Sequence, residues 1–209
     1  MQNINTEVLE NAEILAICRY ERNKQTVDFL KEIFSTLTTQ CDTTLELSFL
    51  FGSKQALING SGEGFELLDG QQRTTTLFLL YWYIYNRESE ILPEFLRKFT
   101  YETRDTSTQF LCKITSTRFD LSDKKPSRIL KANKWFTDDF NCDATICAML
   151  NMLDDIHDMY CQKECSGLLD KLSRLKFYVL LLEEFDMNDE LYIKMNSRGL
   201  SLTPFENFK

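Results

Sequence analysis

The sequence is poor in the residues on which several large protein classes depend. Its 209 residues include only 7 Gly and 3 Pro, too few turn-forming residues for an all-β sandwich. A hydrophobic content of 43% argues against disorder. No run approaches the ~20 apolar residues of a membrane span, and the N-terminus lacks the basic stretch that opens a signal peptide. We therefore expect a cytoplasmic globular protein without a membrane segment.

A single histidine, His157, restricts the chemistry expected of the chain. HNH nucleases, HExxH proteases and Ser-His-Asp hydrolases all need at least one well-placed histidine, and the first two need more. His157 lies in the acidic run DDIHD, with no nucleophile of the GxSxG type nearby. Histidine-driven catalysis is therefore not expected.

The seven cysteines contain no CxxC pair, which indicates reduced thiols and argues against zinc ribbons and disulfide frameworks. His157, Cys161 and Cys165 follow one another at four-residue intervals and would form one stripe of a helix. That stripe suits a metal site completed by a ligand from elsewhere. Cysteines on a helical stripe are more often part of a core, so both interpretations stay open.

The net charge of −8 argues against non-specific binding of nucleic acids, because phosphate backbones attract clustered Lys and Arg. The charge is nevertheless unevenly distributed. Residues 97–134 contain ten basic and four acidic residues and so carry a charge of +6. This segment is either a solvated surface or the part of the chain that faces DNA.

Hydrophobic spacing predicts an α+β protein that is mainly helical overall. Amphipathic or apolar patterns predict helices at 23–39, 71–85, 144–152, 168–175 and 189–196. Runs rich in β-branched and aromatic residues predict strands at 45–51, 55–58, 65–68 and 177–182, with the end of a helix as the alternative for 177–182. The first two strands are separated by Gly52-Ser53-Lys54, which has the composition of a turn.

This pattern divides the chain into an α/β part, residues 1–90, and a mostly helical part, residues 91–209. The segment Thr203-Pro204-Phe205-Glu206 has the residues of a helix start, with an N-cap Thr followed by Pro and Glu. A helix that starts there would have a single turn, which is not stable alone. We therefore expect the chain to be the N-terminal piece of a longer protein.

The most informative segment for chemistry is 67–77, LLDGQQRTTTL. A predicted strand leads to a tight turn at Gly70, and the helix that follows begins with polar side chains. Helix N-termini bind phosphate readily, because their first backbone N–H groups are unpaired and carry partial positive charge. Arg73 adds a bidentate donor for phosphoryl oxygens, and Thr74 and Thr75 add hydroxyl groups.

Asp69 precedes this helix and admits two interpretations. Its carboxylate could hold Mg²⁺ or orient a water molecule. Alternatively, Asp69 caps the helix while Arg73 forms an ordinary surface ion pair. The segment is not a P-loop, since GxxxxGK[ST] is absent, and the glycines within 60–64 are typical of a hairpin turn.

Three segments resemble signatures of one protein family. Residues 67–77 resemble the VDGQQR-TTL signature of the N-terminal domain of GmrSD-type modification-dependent restriction enzymes. Residues 192–209, YIKMNSRGLSLTPFENFK, resemble a second signature, YIKMNxRGxxLTxFExFK. Residues 17–22, ICRYER, resemble a third, IPxYQR, with Cys18 and Glu21 in place of its proline and glutamine. The three segments occur in the order found in the family.

The resemblance implies a fold, an activity and partners. The implied fold is a small ParB/sulfiredoxin-like mixed sheet with helices and an α-helical extension. The implied activity is the binding and hydrolysis of nucleoside triphosphates by a regulatory domain of an anti-phage restriction protein. A C-terminal HNH-type nuclease domain or subunit would cut DNA, and residues 97–134 are the segment expected to face DNA. Oligomerisation is left open.

The resemblance also implies roles for individual residues at the motif positions. The implied catalytic residues are Asp69, Gln71, Gln72 and Arg73. The implied nucleotide-binding residues are Gly70, Arg73, Thr74, Thr75, Asn196, Arg198, Tyr20 and Arg22. Triphosphate hydrolysis depends mainly on positioning and charge stabilisation, so a helix N-terminus, Mg²⁺ and two arginines would be sufficient parts.

Within that scheme, Gln71 or Gln72 would orient the attacking water. Asp69 would act through Mg²⁺ or as a base. Asn196 would contact the nucleotide or Gln72.

Two other functions compete with nucleotide hydrolysis. The domain could sense modified DNA or bind a protein without catalysing a reaction. Less favoured is a ParB-like nuclease, because no cluster of metal-binding carboxylates near a histidine is evident. Released phosphate after incubation with nucleoside triphosphates would separate the first two functions.

Overall fold

The computed structural model describes residues 13–39, 44–56, 63–162 and 165–181. The strands in these residues are β1 (Glu13–Ala16), β2 (Leu45–Ala56), β3 (Glu63–Asp69), β4 (Phe99–Tyr101) and β5 (Leu175–Leu181). The α-helices are α1 (Lys24–Thr38), α2 (Gln71–Glu88), α3 (Asp105–Ser116), α4 (Pro126–Lys131), α5 (Asp138–Cys142) and α6 (Ala144–Gln162). Two 3-10 helices lie at Glu94–Lys98 and Leu169–Arg174.

The described strands form one mixed sheet in the order β4-β1-β3-β2-β5. Only the β2–β3 pair is antiparallel, and the other three pairs are parallel. The predicted α+β class is therefore confirmed. The sheet takes β1, β2 and β3 from residues 1–90 and β4 and β5 from residues 91–209. The division of the chain near residue 90 stays a prediction.

Helix α1 confirms the helix predicted at 23–39. Asn23 is its N-cap and forms a capping box with Thr26, in which each side chain pairs with the other residue's backbone N–H. The helical period turns one apolar stripe inward, and its buried side chains are Leu30, Ile33, Phe34 and Leu37. The opposite face carries charged residues.

Helix α2 is the central helix of the core. Its apolar side chains are buried almost all round, and Trp82 and Tyr83 are fully buried. Its first turns carry buried threonines, which would leave unpaired hydroxyl groups in an apolar setting. The hydroxyl groups of Thr75 and Thr76 instead donate to the carbonyl oxygens of Gln71 and Gln72, four residues earlier.

Strand β2 differs from the prediction of two strands separated by a turn at 52–54. It runs unbroken from Leu45 to Ala56, with a register shift between Phe51 and Gly52 where it faces β3. A Cβ atom at Gly52 would lie 2.4 Å from the ring of Phe65 and 2.4 Å from the carbonyl oxygen of Glu66. The glycine therefore permits close packing within a strand and does not make a turn.

Two smaller differences concern short elements. Strand β4 has only three residues and was not predicted, because so short a run has no measurable period. The helix predicted at 168–175 is a short 3-10 helix, and the strand predicted at 177–182 is β5. The helix predicted at 189–196 and the helix start at 203–206 lie outside the described residues.

The helical extension packs against α2 through aromatic side chains. The indole nitrogen of Trp82 donates to the carbonyl oxygen of Ile114 at 2.8 Å, which joins α2 to α3. Rings from α3, from α5 and from the loop between α4 and α5 lie 5.5–6.4 Å apart and form a cluster of Phe110, Trp135, Phe136 and Phe140. Phe119 links this cluster to α2, since its ring lies 6.4 Å from that of Trp135 and 5.9 Å from that of Trp82.

The acidic run on α6 forms polar links to its neighbours. Asp154 accepts hydrogen bonds from the backbone N–H and the hydroxyl group of Ser127 and so stabilises the start of α4. Asp155 forms a two-point ion pair with Arg22, with N–O distances of 2.5 and 3.0 Å. None of the helices within the described ranges is both long enough and apolar enough to cross a bilayer.

Gly52 gives a test of the continuous β2 strand. Gly52→Ala should lower the free energy of unfolding by about 2 kcal/mol or more, because the added methyl group would meet backbone and a buried ring. Gly167→Ala is the matched control. A Cβ at Gly167 meets nothing within 4 Å, so only the positive φ of +67° opposes it, at a cost of about 1 kcal/mol. Urea unfolding measures both, and equal losses would contradict the packing described for Gly52.

Candidate functional site

The candidate site begins where β3 ends at Asp69 and α2 starts. Gly70 makes the turn with φ +87°, a left-handed conformation that favours glycine. A Cβ at this position would also lie 2.3 Å from a methyl carbon of Leu50. Among the described residues, no side chain caps α2, so its first backbone N–H groups are left for another partner. The interpretation of Asp69 as a helix cap is therefore wrong.

Gln71 joins three separate pieces of backbone. Its side-chain oxygen accepts hydrogen bonds from the backbone N–H of Ile17 (2.8 Å) and of Cys18 (2.5 Å). Its amide nitrogen donates to the carbonyl oxygen of Leu67 at 2.6 Å. The Gln71 side chain is 7% exposed; its bond to Leu67 is buried, and its bonds to Ile17 and Cys18 are partly buried. Gln71 therefore fixes the segment that follows β1 against the β3–α2 turn.

Gln72 repeats this arrangement one residue further on. Its oxygen accepts from the backbone N–H of Glu21 (2.9 Å), and its nitrogen donates to the carbonyl oxygen of Arg19 (2.8 Å). Between these two points, the hydroxyl group of Tyr20 lies 2.9 Å from that of Thr76. Residues 17–21 are thus held along the first two turns of α2.

Arg73 and Asp69 lie at the rim of the same turn. The Arg73 guanidinium donates to the carbonyl oxygen of Phe49 at 3.0 Å and lies 3.5 Å from the Asp69 carboxylate. The Asp69 side chain is 58% exposed and that of Arg73 is 28% exposed. One charge of each sign is therefore accessible beside the open end of α2.

A cavity of about 390 Å³ lies against this turn, and we call it the motif cavity. One side is formed by residues of the DGQQR motif, namely Asp69, Gly70, Gln71, Gln72 and Arg73. The other side is formed by the first turns of α1 and its N-cap, namely Asn23, Gln25, Thr26 and Phe29. Cys18 and Leu68 complete the wall. Its volume lies within the ~300–1,000 Å³ typical of small-molecule pockets.

Four other residues predicted to contact nucleotide do not line this cavity. Tyr20 is 1% exposed, and burial raises the pKa of its hydroxyl group far above the usual value, so it stays neutral. Thr75, also 1% exposed, lies 3.1 Å from the hydroxyl group of Tyr101. Thr74 donates back to the carbonyl oxygen of Gly70, and Arg22 pairs with an acidic residue of α6. These four side chains therefore stabilise the elements that surround the cavity and do not face it.

Asn196 and Arg198 lie outside the described residues, but the sheet shows where the chain leading to them starts. Leu180 of β5 faces Phe51 of β2, and Phe51 faces Asp69 of β3. Adjacent strands lie about 4.8 Å apart, so the Cα atoms of Leu180 and Asp69 are separated by roughly 10 Å. The chain therefore leaves β5 about two strand spacings from the motif cavity.

The prediction that His157, Cys161 and Cys165 form one stripe of a helix is wrong, because α6 ends at Gln162 and Cys165 lies beyond it. His157 and Cys161 have partners within the fold. Nδ1 of His157 lies 3.0 Å from the hydroxyl group of Tyr83, and Nε2 lies 3.7 Å from the Cys161 sulfur. Burial lowers the pKa of His157 below its usual value, which favours the neutral ring. Within the described ranges, no group of three or more His, Cys, Asp or Glu side chains could hold a metal ion.

A second cavity of about 380 Å³ lies at the C-terminal end of α2. Arg87 and Arg118 line it together with Asp120. Arg118 donates to the carbonyl oxygens of Asn86 (3.1 Å) and Glu90 (3.3 Å) and so completes the end of the helix. None of the predicted site residues that lie within the described ranges lines this cavity.

The basic segment 97–134 places most of its charges on the surface. Its exposed basic residues are Arg97, Lys113, Arg118, Lys124, Lys125, Arg128, Lys131 and Lys134. Lys125 is paired with Asp158 at 2.7 Å. A DNA-facing role for the segment stays a prediction.

The family of the chain follows from a match over nearly its whole length. The model of the family described as GmrSD restriction endonuclease, N-terminal domain, matches residues 12–209. The chain belongs to this family. No curated protein and no solved structure matches it. The resemblance drawn from 67–77 and 192–209 is thereby confirmed. The chain is a GmrSD N-terminal domain, which is a domain of a restriction (anti-phage) protein.

Sequence reasoning missed the contribution of α1 to the site of this GmrSD N-terminal domain. Gln25 and Phe29 lie one helical turn apart and both line the motif cavity. One signal was available, since Phe29 is a large apolar residue outside the buried stripe of α1. A single sequence does not show whether such a residue packs against the core or faces a ligand.

Gln71 and Gln72 give a test of how this GmrSD N-terminal domain builds its site. Gln71→Ala should cost about 3 kcal/mol of folding free energy, because it leaves a buried carbonyl and two partly buried N–H groups unpaired. Gln72→Ala should cost about 1 kcal/mol, because its partners lie on a more exposed segment. Chemical denaturation measures both.

Gln109→Ala is the matched control, since Gln109 is an exposed residue of α3 whose loss should change stability by less than about 0.5 kcal/mol. A Gln71→Ala variant as stable as Gln109→Ala would contradict the role assigned to Gln71.

Proposed function

We propose that this domain binds nucleoside triphosphates in the motif cavity and hydrolyses them as the regulatory part of a DNA restriction protein. The observation that carries the proposal is the uncapped N-terminus of α2 opening into a cavity beside Arg73. Unpaired N–H groups, a helix dipole and a guanidinium group all favour phosphate at that place. The cavity is also large enough for a small-molecule ligand.

Mg²⁺ is the metal proposed for this reaction, with Asp69 as its protein ligand. The Asp69 carboxylate is 58% exposed at the cavity rim, and its contact with the Arg73 guanidinium is a long one of 3.5 Å. Magnesium sites that serve phosphate chemistry commonly use one or two carboxylates and complete their coordination with substrate oxygens and water. When bound, Mg²⁺ would neutralise charge on the phosphates.

The contacts of the glutamines assign them to positioning. The side-chain atoms of Gln71 and Gln72 hold the backbone of 17–21, so both residues shape the cavity wall. Orientation of the attacking water then falls to Asp69. Arg73 would stabilise the charge on the transferred phosphoryl group, since it is the basic side chain on the described cavity wall.

A second arginine, Arg198, is proposed to reach the same phosphates from the NSRG segment. It follows Leu180 by 18 residues, and Leu180 lies in the same row of the sheet as Asp69. A chain of that length spans far more than the roughly 10 Å between the two strands. Asn196, two residues earlier, would contact the nucleotide or Gln72.

The alternative function is that of a non-catalytic module that senses DNA. The exposed basic residues of 97–134 favour it, because clustered positive charge attracts the DNA backbone. DNA and a C-terminal nuclease domain or subunit are proposed as partners under either function. A nuclease activity of this domain itself ranks last.

Arg73 provides the test of nucleotide binding. Arg73→Ala should weaken binding of nucleoside triphosphates at least tenfold, because a hydrogen bond to a charged group is worth about 1.5–3 kcal/mol. Arg97→Ala should change the affinity less than twofold, since Arg97 is exposed and does not line the cavity. Calorimetry with ATP, GTP, CTP and UTP, with and without Mg²⁺, measures the affinities.

Phosphate release in the same samples separates hydrolysis from binding. Nucleotide binding without phosphate release would favour a non-catalytic sensor. If the folded wild-type chain binds none of the four nucleotides, the proposed function is wrong.

A further inference from the structure

The motif cavity has two chemically different sides. The DGQQR side offers backbone N–H groups, a carboxylate and a guanidinium group, which suit phosphates and a cation. The α1 side offers an aromatic ring from Phe29 and a primary amide from Gln25, and Leu68 of β3 adds an apolar side chain. Phosphate binding requires neither a ring nor an apolar wall, so the proposed phosphate chemistry leaves the α1 side without a role.

The ring of Phe29 is only partly buried against the core. The residue packs against the core and stays half-buried, although its neighbour Leu30 is fully buried. The aromatic rings of the described residues form many pairs, but none of these pairs includes Phe29. A half-exposed ring on a cavity wall suits stacking with a planar ligand.

The side-chain amide of Gln25 is available to form hydrogen bonds with a ligand. The other polar residues on the α1 side are engaged, since Asn23 and Thr26 bond to each other's backbone N–H groups in the capping box. Gln25 makes no side-chain hydrogen bond with any residue that the structure describes. It lies one helical turn before Phe29 on the same face of α1. An amide both donates and accepts, as the edges of nucleobases do.

We propose that the α1 side of the motif cavity is a nucleobase subsite. Phe29 stacks on the base, Leu68 adds apolar contact, and Gln25 hydrogen-bonds to the edge of the base. This assignment rests on the proposed function, because it takes the phosphates to lie at the N-terminus of α2. It predicts that the ligand is a whole nucleotide and that a free polyphosphate binds more weakly.

The test compares nucleoside triphosphates with inorganic tripolyphosphate on the full 209-residue chain. Wild-type protein should bind at least one of ATP, GTP, CTP and UTP about tenfold more tightly than tripolyphosphate, since base–aromatic stacking is worth about 1–3 kcal/mol. Phe29→Ala should remove this difference and leave the affinity for tripolyphosphate within about twofold of wild type. Phe29→Tyr should retain the difference, because it keeps a ring.

Controls separate the subsite from general damage. Phe95→Ala removes an exposed ring that does not line the cavity and should change neither affinity. Gln25→Ala should alter the order of preference among the four nucleotides without changing tripolyphosphate binding. Gln109→Ala is its matched control on α3, and circular dichroism reports on the fold of each variant.

Three outcomes overturn the proposal, and they differ. Equal binding of nucleotides and tripolyphosphate by the wild type would exclude a base subsite and leave the phosphate site standing. No binding of either ligand would overturn the proposed function and the subsite together. A wild-type preference for one nucleotide that survives both Phe29→Ala and Gln25→Ala would place the base elsewhere.

Discussion

The site of this domain depends on one buried side chain, Gln71, and its three hydrogen bonds. The amide of Gln71 pairs with backbone N–H groups at Ile17 and Cys18 and with the carbonyl oxygen of Leu67. Strand β1 is parallel to β3, so the segments that leave them emerge at the same edge of the sheet. Without a cross-link, two such segments would present unpaired backbone groups to one another. Gln71 forms hydrogen bonds with these groups, and Gln72 does the same with the backbone of Arg19 and Glu21. Between them, the buried hydroxyl group of Tyr20 contacts that of Thr76.

The same cross-link explains why α1 belongs to the cavity. Residues 17–22 lead directly into the Asn23 cap, so fixing this segment along α2 also fixes the first turn of α1. Arg22 connects the segment to Asp155 on α6, and α6 also stabilises the start of α4 through Asp154. A continuous set of polar contacts thus runs from the DGQQR motif to the helical extension.

The sequence predicted the parts of this fold that have a strong local signal. The amphipathic period of α1, the apolar composition of α2 and the turn at Gly70 all correspond to observed elements. Gly52 was misread because a glycine needed for close approach inside a strand has the same local signature as a turn glycine. The roles of the two glutamines were hidden for a different reason. Apart from the carbonyl oxygen of Leu67, their partners lie more than 50 positions away in the sequence, and all are backbone groups, which no residue pattern identifies.

The central claim is that the open end of α2 is where this domain takes up phosphate. The most direct measurement is an NMR titration of the ¹⁵N-labelled chain with a non-hydrolysable nucleoside triphosphate and Mg²⁺. The account predicts that the largest backbone amide shifts occur at residues 70–74, followed by those at the start of α1. Shifts confined to residues 97–134 or to the cavity beside Arg87 and Arg118, with residues 70–74 unchanged, would contradict it.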